Sequence, residues 1–91
     1  MTNKNYYLCV FQSRNQAILI FSLLESAGYK NFQLISTPCG IKAGCSYSIK
    51  FSHYNYYEVI NKRVDELGLV KPRLFYINTV NGKTNYDEIH I

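Results

Sequence analysis

The feature that most constrains the fold is the alternation of two helical hydrophobic patterns with short segments typical of strands. The first helical pattern opens at Ser13, with Gln16 three residues later as in a capping box, and Gly28 follows its end. Its apolar residues recur at helical spacing, namely Ala17, Ile20, Phe21, Leu24 and Ala27. This spacing predicts an amphipathic helix with one buried face.

The second helical pattern begins at Asn55, with Glu58 three residues on, and stops before Gly68. Its apolar stripe consists of Tyr56, Ile60, Val64 and Leu67. This segment therefore predicts a second amphipathic helix.

Strands are predicted before, between and after the helices, over 6–11, 32–36, 46–51 and 73–80. The segment 6–11 is apolar on both faces, which is typical of a central strand. Along 46–51, Tyr47, Ile49 and Phe51 alternate with polar residues, which favours a strand with only one apolar face. Asn81 and Gly82 predict a tight hairpin turn, so the segment 83–91 is expected to return as a short edge strand.

The order strand, helix, strand, strand, helix, strand predicts an α+β fold. We expect the ferredoxin-like βαββαβ arrangement, with two helices on one face of an antiparallel sheet and an extra C-terminal edge strand. The first and third strands are expected to be neighbours at the centre. With 91 residues, the chain is predicted to be a single domain, 1–91.

Composition excludes some classes and limits others. The net charge is +4, but the basic residues are scattered along the chain, which favours a solvated surface over a nucleic-acid interface. The apolar stretch 17–21 is far shorter than the about 20 residues that a membrane span needs. No signal-peptide pattern is present and the three cysteines are odd in number, so we expect a cytoplasmic protein with free thiols.

The loop between the second and third strands has the most unusual chemistry. It contains Cys39, Lys42 and Cys45, with Gly40 and Gly44 between them. A nearby ammonium and oriented backbone amides favour the thiolate, so Cys45 is a candidate nucleophile and Lys42 the charge that favours its ionisation. Cys39 is a candidate resolving partner. Cys9, in the apolar first strand, is expected to be a small buried hydrophobe.

Other chemistries lack a pattern in this sequence. No phosphate-binding, dinucleotide-binding or nucleophile-elbow motif is present. His53 and His90 do not have the spacing of metal ligands. We therefore expect no metal and no bound cofactor.

The residues of this loop and its flanks resemble the selenium/sulfur carrier-like family of small bacterial proteins of unknown function. The resemblance covers 6–68, and its motif residues are Thr37 and Pro38, Ile41, Gly44 and Cys45, and the run from Ser48 to Phe51. Cys45 matches the characteristic cysteine of the family. Cys39 stands where members more often have a basic or polar residue, and Ser46 where they often have glycine.

The resemblance implies a carrier that holds sulfur or selenium on Cys45 as a transient persulfide or selenosulfide. Its partners would be sulfur donor and acceptor proteins, such as a cysteine desulfurase, and its activity would be carrier-type thiol chemistry rather than a conventional catalytic site. The alternatives are a small-ligand-binding module and a dimerisation module that uses the open face of the sheet as a homo-oligomer interface. RNA binding is disfavoured, because the polar face of the third strand lacks aromatic residues for stacking.

Overall fold

The helices and strands follow the two hydrophobic periods of the sequence. The computed structural model describes residues 5–41 and 46–90. Its elements, in chain order, are β1 (Tyr6–Val10), α1 (Arg14–Ser26), β2 (Gln33–Ser36), β3 (Tyr47–Phe51), α2 (Asn55–Glu66), β4 (Arg73–Val80) and β5 (Lys83–Ile89). The predicted α+β class is confirmed.

The five strands form one antiparallel sheet in the order β2-β3-β1-β4-β5. β1 and β3 are neighbours near the centre of the sheet, as predicted, and Cys9 of β1 is paired with Ile49 of β3 in the register. The ferredoxin-like arrangement has four strands, and the observed sheet has a fifth beside β4, so the strand order of the whole sheet differs. The C-terminal edge strand was expected to be short, and β5 is seven residues long.

Local signals explain the ends of α1. The Ser13 hydroxyl accepts a hydrogen bond from the backbone N–H of Gln16, as predicted. The capping box also predicts a second hydrogen bond, from the backbone N–H of Ser13 to the side chain of Gln16. This prediction was wrong, because Gln16 Oε1 is buried and has no hydrogen-bond partner among the described residues. Gly28 ends the helix with a φ of 93°, a conformation that suits glycine.

The second helix begins at Asn55, but Asn55 does not cap it. Tyr54 occupies the cap position and makes no side-chain hydrogen bond. The predicted stripe was also partly wrong, since Tyr57 is buried and Tyr56 only half-buried. Ala27 and Leu67 are exposed because each lies at a helix C-cap, beyond the last buried turn.

One face of the sheet, the helix-side face, packs against both helices. Its strand residues are Cys9, Phe11, Ile49, Phe51 and Leu74, and they share one core with Ala17, Ile20 and Leu24 of α1 and Tyr57, Ile60 and Val64 of α2. The aromatic rings of Tyr7 and Phe51 stack at its end, with centroids 5.7 Å apart.

The opposite face, the loop-side face, also has an apolar cluster. Leu8, Val10, Phe75 and Ile77 form it, and all four are buried. No helix residue belongs to this cluster; Tyr6, Ile35, Ile41 and Tyr86 pack against it instead. Ile41 of the β2–β3 loop and Tyr86 of β5 therefore pack on a face that the strand pattern of 46–51 indicated would be polar.

Candidate functional site

The β2–β3 loop is anchored at its base by three buried hydroxyl groups. Thr37 Oγ1 lies 2.6 Å from Ser48 Oγ, and Ser46 Oγ donates to Thr37 Oγ1 over 2.8 Å. The backbone N–H of Thr37 also donates to the carbonyl of Ser46 at 2.9 Å. The residue that directly follows Cys45 in the sequence is therefore held by one backbone and one side-chain hydrogen bond.

A tight turn begins the loop and presents Cys39 to solvent. The backbone N–H of Ile41 donates to the carbonyl of Pro38 at 3.0 Å, which closes a four-residue turn with Cys39 and Gly40 at its centre. The Cys39 thiol is free and exposed. An exposed thiol on a turn can be approached by a second protein without unfolding of the domain.

Tyr86 of β5 packs directly against the turn. A β-carbon added at Gly40 would clash with the ring of Tyr86, at Cε2 and Cζ. The side chain of Ile41 packs on the loop-side face next to it. Only glycine fits at position 40 with Tyr86 in place, so the path of the loop depends on a residue 46 positions later in the chain.

Positive charge lies beside the start of β3. The guanidinium of Arg14, the first residue of α1, lies 5.1 Å from the centroid of the Tyr47 ring. This distance is within the range of a cation–π contact. Because Tyr47 is only two residues after Cys45 in the sequence, Arg14 supplies a cation to this end of the sheet.

The predicted site residues have different outcomes. Cys45 and Lys42 lie outside the described residues, so their assignment stays a prediction. Cys39 is on the surface. Cys9 is fully buried, and burial raises the pKa of its thiol far above the ordinary value, so it remains a neutral thiol.

Sequence reasoning missed Thr37, Ser48 and Tyr86 as residues that hold the loop. Ser46 and Ser48 alternate with apolar residues, which is also the pattern of a solvated strand face. Tyr86 lies in a segment that gave no signal beyond an edge strand. Gly40 was noted only for its conformational freedom, whereas its small size is what the Tyr86 contact requires.

Two further findings concern metal binding and membrane crossing by the described residues. Residues 5–41 and 46–90 contain no cluster of three or more His, Cys, Asp or Glu side chains that could hold a metal ion. Among those same residues, neither helix is long and apolar enough to cross a membrane.

The described residues define an α+β protein in which Ile41, in the loop that joins β2 to β3, packs on one face of the sheet. The family described as "Putative Se/S carrier protein-like" matches residues 6–70. The chain belongs to this family, which confirms the resemblance seen in the loop. No curated protein and no solved structure gives a significant match.

The family match ends at residue 70, before the last two strands. It spans β1 to α2 and includes the whole loop, whereas β4 and β5 lie beyond residue 70. Tyr86, which packs against Gly40, therefore comes from outside the matched region. The contact at Gly40 therefore joins a residue inside the matched region to one outside it.

Proposed function

We propose that this protein carries sulfur or selenium on Cys45 as a transient persulfide or selenosulfide. The observation that supports this most is the family match, which includes the complete loop between β2 and β3. The loop is anchored to the sheet at Thr37 and Ser46, on either side of the proposed carrier residue. Carriage requires an accessible thiol and no bound cofactor.

Loading is a thiol exchange that is balanced in atoms and electrons. The Cys45 thiolate attacks the outer sulfur of a persulfide on the donor protein. The donor's sulfur–sulfur bond breaks, the donor cysteine leaves as a thiolate, and the outer sulfur is now bonded to Cys45. Transfer to an acceptor thiolate repeats the same exchange, so no external oxidant or reductant is consumed.

Lys42 and Cys39 have separate roles in this proposal. The Lys42 ammonium favours the thiolate form of Cys45, which is the attacking species. Cys39 attacks the inner sulfur of the loaded Cys45, which forms a Cys39–Cys45 disulfide and releases hydrosulfide. A dithiol reductant then restores both thiols. The exposed position of Cys39 supports this role.

The proposed partners are a donor and an acceptor protein, with a cysteine desulfurase as the donor class. A homo-oligomer through the loop-side face is the alternative use of that surface. Tyr86 and Ile41 pack against this face, so a second copy would contact the loop and β5 rather than bare strands. RNA stacking there is disfavoured, because the ring of Tyr6 is half-buried and contacts the ammonium of Lys50 at 4.4 Å.

Intact mass spectrometry after incubation with a cysteine desulfurase and free cysteine tests the proposal. We expect the native protein either to gain the mass of one sulfur atom or, once Cys39 has expelled hydrosulfide, to lose two hydrogens as the Cys39–Cys45 disulfide, and Cys45→Ser to gain no mass. Cys39→Ser is the matched control, since it removes the other loop thiol and should still be loaded. An unchanged mass in the native protein would sink the carrier proposal.

Thiol reactivity provides an independent measurement. Cys9 can react only after opening of the sheet, so its alkylation should be at least about 1,000-fold slower than that of either loop cysteine, given a typical free energy of unfolding. Cys45 should react faster than Cys39 at neutral pH, and Lys42→Met should remove that difference. Equal rates for Cys45 and Cys9 would contradict an activated thiolate.

A further inference from the structure

A cavity of about 620 Å³ lies at the ends of β1, β2 and β3. Its lining residues include Tyr6, Lys30, Asn31, Gln33 and Lys50. None of the described loop residues, 37–41, lines it. Its volume is in the range of pockets that bind small molecules, and the thiol chemistry proposed above does not use it.

The cavity has positive charge that no carboxylate neutralises. Lys30 and Lys50 both line it, and none of its lining residues is acidic. In the described part of the chain, the ion pairs are Arg63 with Glu66, Lys71 with Asp65 and Arg73 with Glu88. Neither Lys30 nor Lys50 belongs to one of these pairs, so both ammonium groups are available to a ligand.

Lys50 is held in position toward this cavity. It is half-buried on β3, and its Nζ lies 4.4 Å from the centroid of the Tyr6 ring. This cation–π contact restrains a side chain that is otherwise costly to order. A restrained ammonium loses less conformational entropy when it binds an anion, which favours binding.

The other polar groups of the cavity suit the same ligand. The side-chain amides of Asn31 and Gln33 are exposed at its rim and can donate N–H groups to an anion. The half-buried Tyr6 adds an aromatic ring beside which an organic body can rest. Two ammonium groups match a doubly charged phosphate better than a singly charged carboxylate.

We propose that this cavity binds a small phosphate monoester, with Lys30 and Lys50 on the phosphate and the Tyr6 ring beside its organic part. Cys39 does not line this cavity, so binding there can be tested whether or not sulfur is carried. It gives the small-ligand alternative a defined location in the structure.

Titration of the isotope-labelled full chain with adenosine monophosphate, followed by NMR, tests the proposal. We expect saturable shifts of the backbone amides of 30–33 and 50–52, and none with adenosine, which lacks the phosphate. Lys30→Gln and Lys50→Gln should each weaken binding about tenfold, because each removes one charge-assisted hydrogen bond. The double variant should weaken it more than either single variant, and by a factor that differs from the product of the two because both lysines share one phosphate.

Matched variants distinguish binding at this cavity from non-specific attraction of the anion to a positively charged protein. Lys83→Gln removes the same charge from the β4–β5 hairpin, away from the cavity, and should leave binding unchanged. Lys50→Arg keeps the charge and should retain most of the affinity. Absence of shifts at 30–33 and 50–52, equal binding of adenosine, or equal weakening by Lys83→Gln would each overturn the proposal.

Discussion

The two faces of the sheet are covered by different kinds of structure. Two helices cover the helix-side face, whereas Ile41 of the β2–β3 loop and Tyr86 of β5 pack on the loop-side face. Both faces bury fully enclosed side chains, such as Leu24 of α1 on one and Leu8 of β1 on the other. The two faces differ in the rigidity of the elements packed on them. A helix is rigid and internally hydrogen-bonded, whereas a loop depends on a few specific contacts.

Truncation of one leucine on each face should reveal this difference. We expect Leu24→Ala to lower the free energy of unfolding by about 3–5 kcal/mol and Leu8→Ala by about 2–3 kcal/mol. Both side chains are fully buried, but the loop and Tyr86 can move into the space left by Leu8 more easily than helix α1 can move into the space left by Leu24.

Urea unfolding of the two variants provides the measurement. Both should keep the denaturant dependence of the native protein, which shows that the unfolding transition itself is unchanged. A larger loss for Leu8→Ala than for Leu24→Ala would show that the loop is the more rigid cover.

The sequence predicts the helix-side face better because its signals are local. Ser13, Gly28 and Gly68 act within a few residues, and each has its predicted role at a helix end. The turn at Asn81 and Gly82 is equally local, with φ angles of 53° and 79°. Such positions can be identified without knowledge of which distant segments meet.

The wrong choice of the buried tyrosine in α2 also has a local cause. Aromatic residues stand at positions 54, 56 and 57, so helical periodicity alone does not determine which of them points to the core. Tyr57 is buried, and Tyr56 lies beside Phe32 with ring centroids 5.4 Å apart. Packing against β2 and its preceding turn decides the phase.

The loop-side cover and the candidate site depend on long-range contacts that periodicity does not encode. The exposure of Cys39 was predictable from its place between a proline and a glycine. The contact of Gly40 with Tyr86 was not, because it joins two segments with no common pattern. The sequence likewise does not distinguish the hydroxyls of Ser46 and Ser48 from solvated ones, because their burial depends on contacts with Thr37.

A methyl group at position 40 should test the Tyr86 contact. We expect Gly40→Ala to lower the free energy of unfolding by about 1–3 kcal/mol, because the added carbon meets the Tyr86 ring and the loop must shift. Alkylation of Cys39 should also change in rate, since the turn that presents it is displaced. Urea unfolding and thiol labelling of the same samples measure both effects.

The Tyr86→Ala background is the control for this substitution. With the ring removed, Gly40→Ala should cost less than about 0.5 kcal/mol, and the two changes should therefore be strongly non-additive. If the cost of Gly40→Ala is the same in both backgrounds, the contact with Tyr86 does not restrain the loop.

Loss of one hydroxyl at the base of the loop should have a smaller effect. Thr37→Val keeps the shape of the side chain but removes the oxygen that both serine hydroxyls contact. We expect a loss of about 1–2 kcal/mol, because the hydroxyls of Ser46 and Ser48 stay buried without this partner. Hydrogen exchange at the amide of Thr37, which bonds the carbonyl of Ser46, should become faster.

The β4–β5 hairpin offers a matched control for the threonine substitution. Thr79 and Thr84 have hydroxyls 3.4 Å apart, but the pair is exposed to solvent. Thr84→Val should therefore change the free energy of unfolding by less than about 0.5 kcal/mol. Similar costs at the two positions would mean that the buried network does not stabilise the loop more than a solvated pair does.

The smallest expected effect concerns the rim of the loop-side face, where Arg73 and Glu88 form a bidentate ion pair. The guanidinium nitrogens lie 2.7 and 3.0 Å from the carboxylate oxygens, and the guanidinium carbon lies 5.0 Å from the centroid of the Phe75 ring. The hydrogen bonds from Arg73 lower the pKa of Glu88 below its ordinary value, and the charges of Arg73 and His90 act in the same direction.

Because the pKa of Glu88 is lower in the folded protein than in the unfolded chain, the stabilisation from this ion pair decreases as the pH falls. The pair contributes its stabilisation above the pKa of the unfolded chain, about 4.3 for glutamate. That contribution is lost as the pH falls through the lower pKa of folded Glu88. Carbon-detected NMR titration should show this pKa returning to its ordinary range in Arg73→Gln, whereas Arg63→Gln on α2 should leave it unchanged. An unaltered Glu88 titration in Arg73→Gln would mean that solvent screens the pair, and that the rim contributes nothing to the cover of this face.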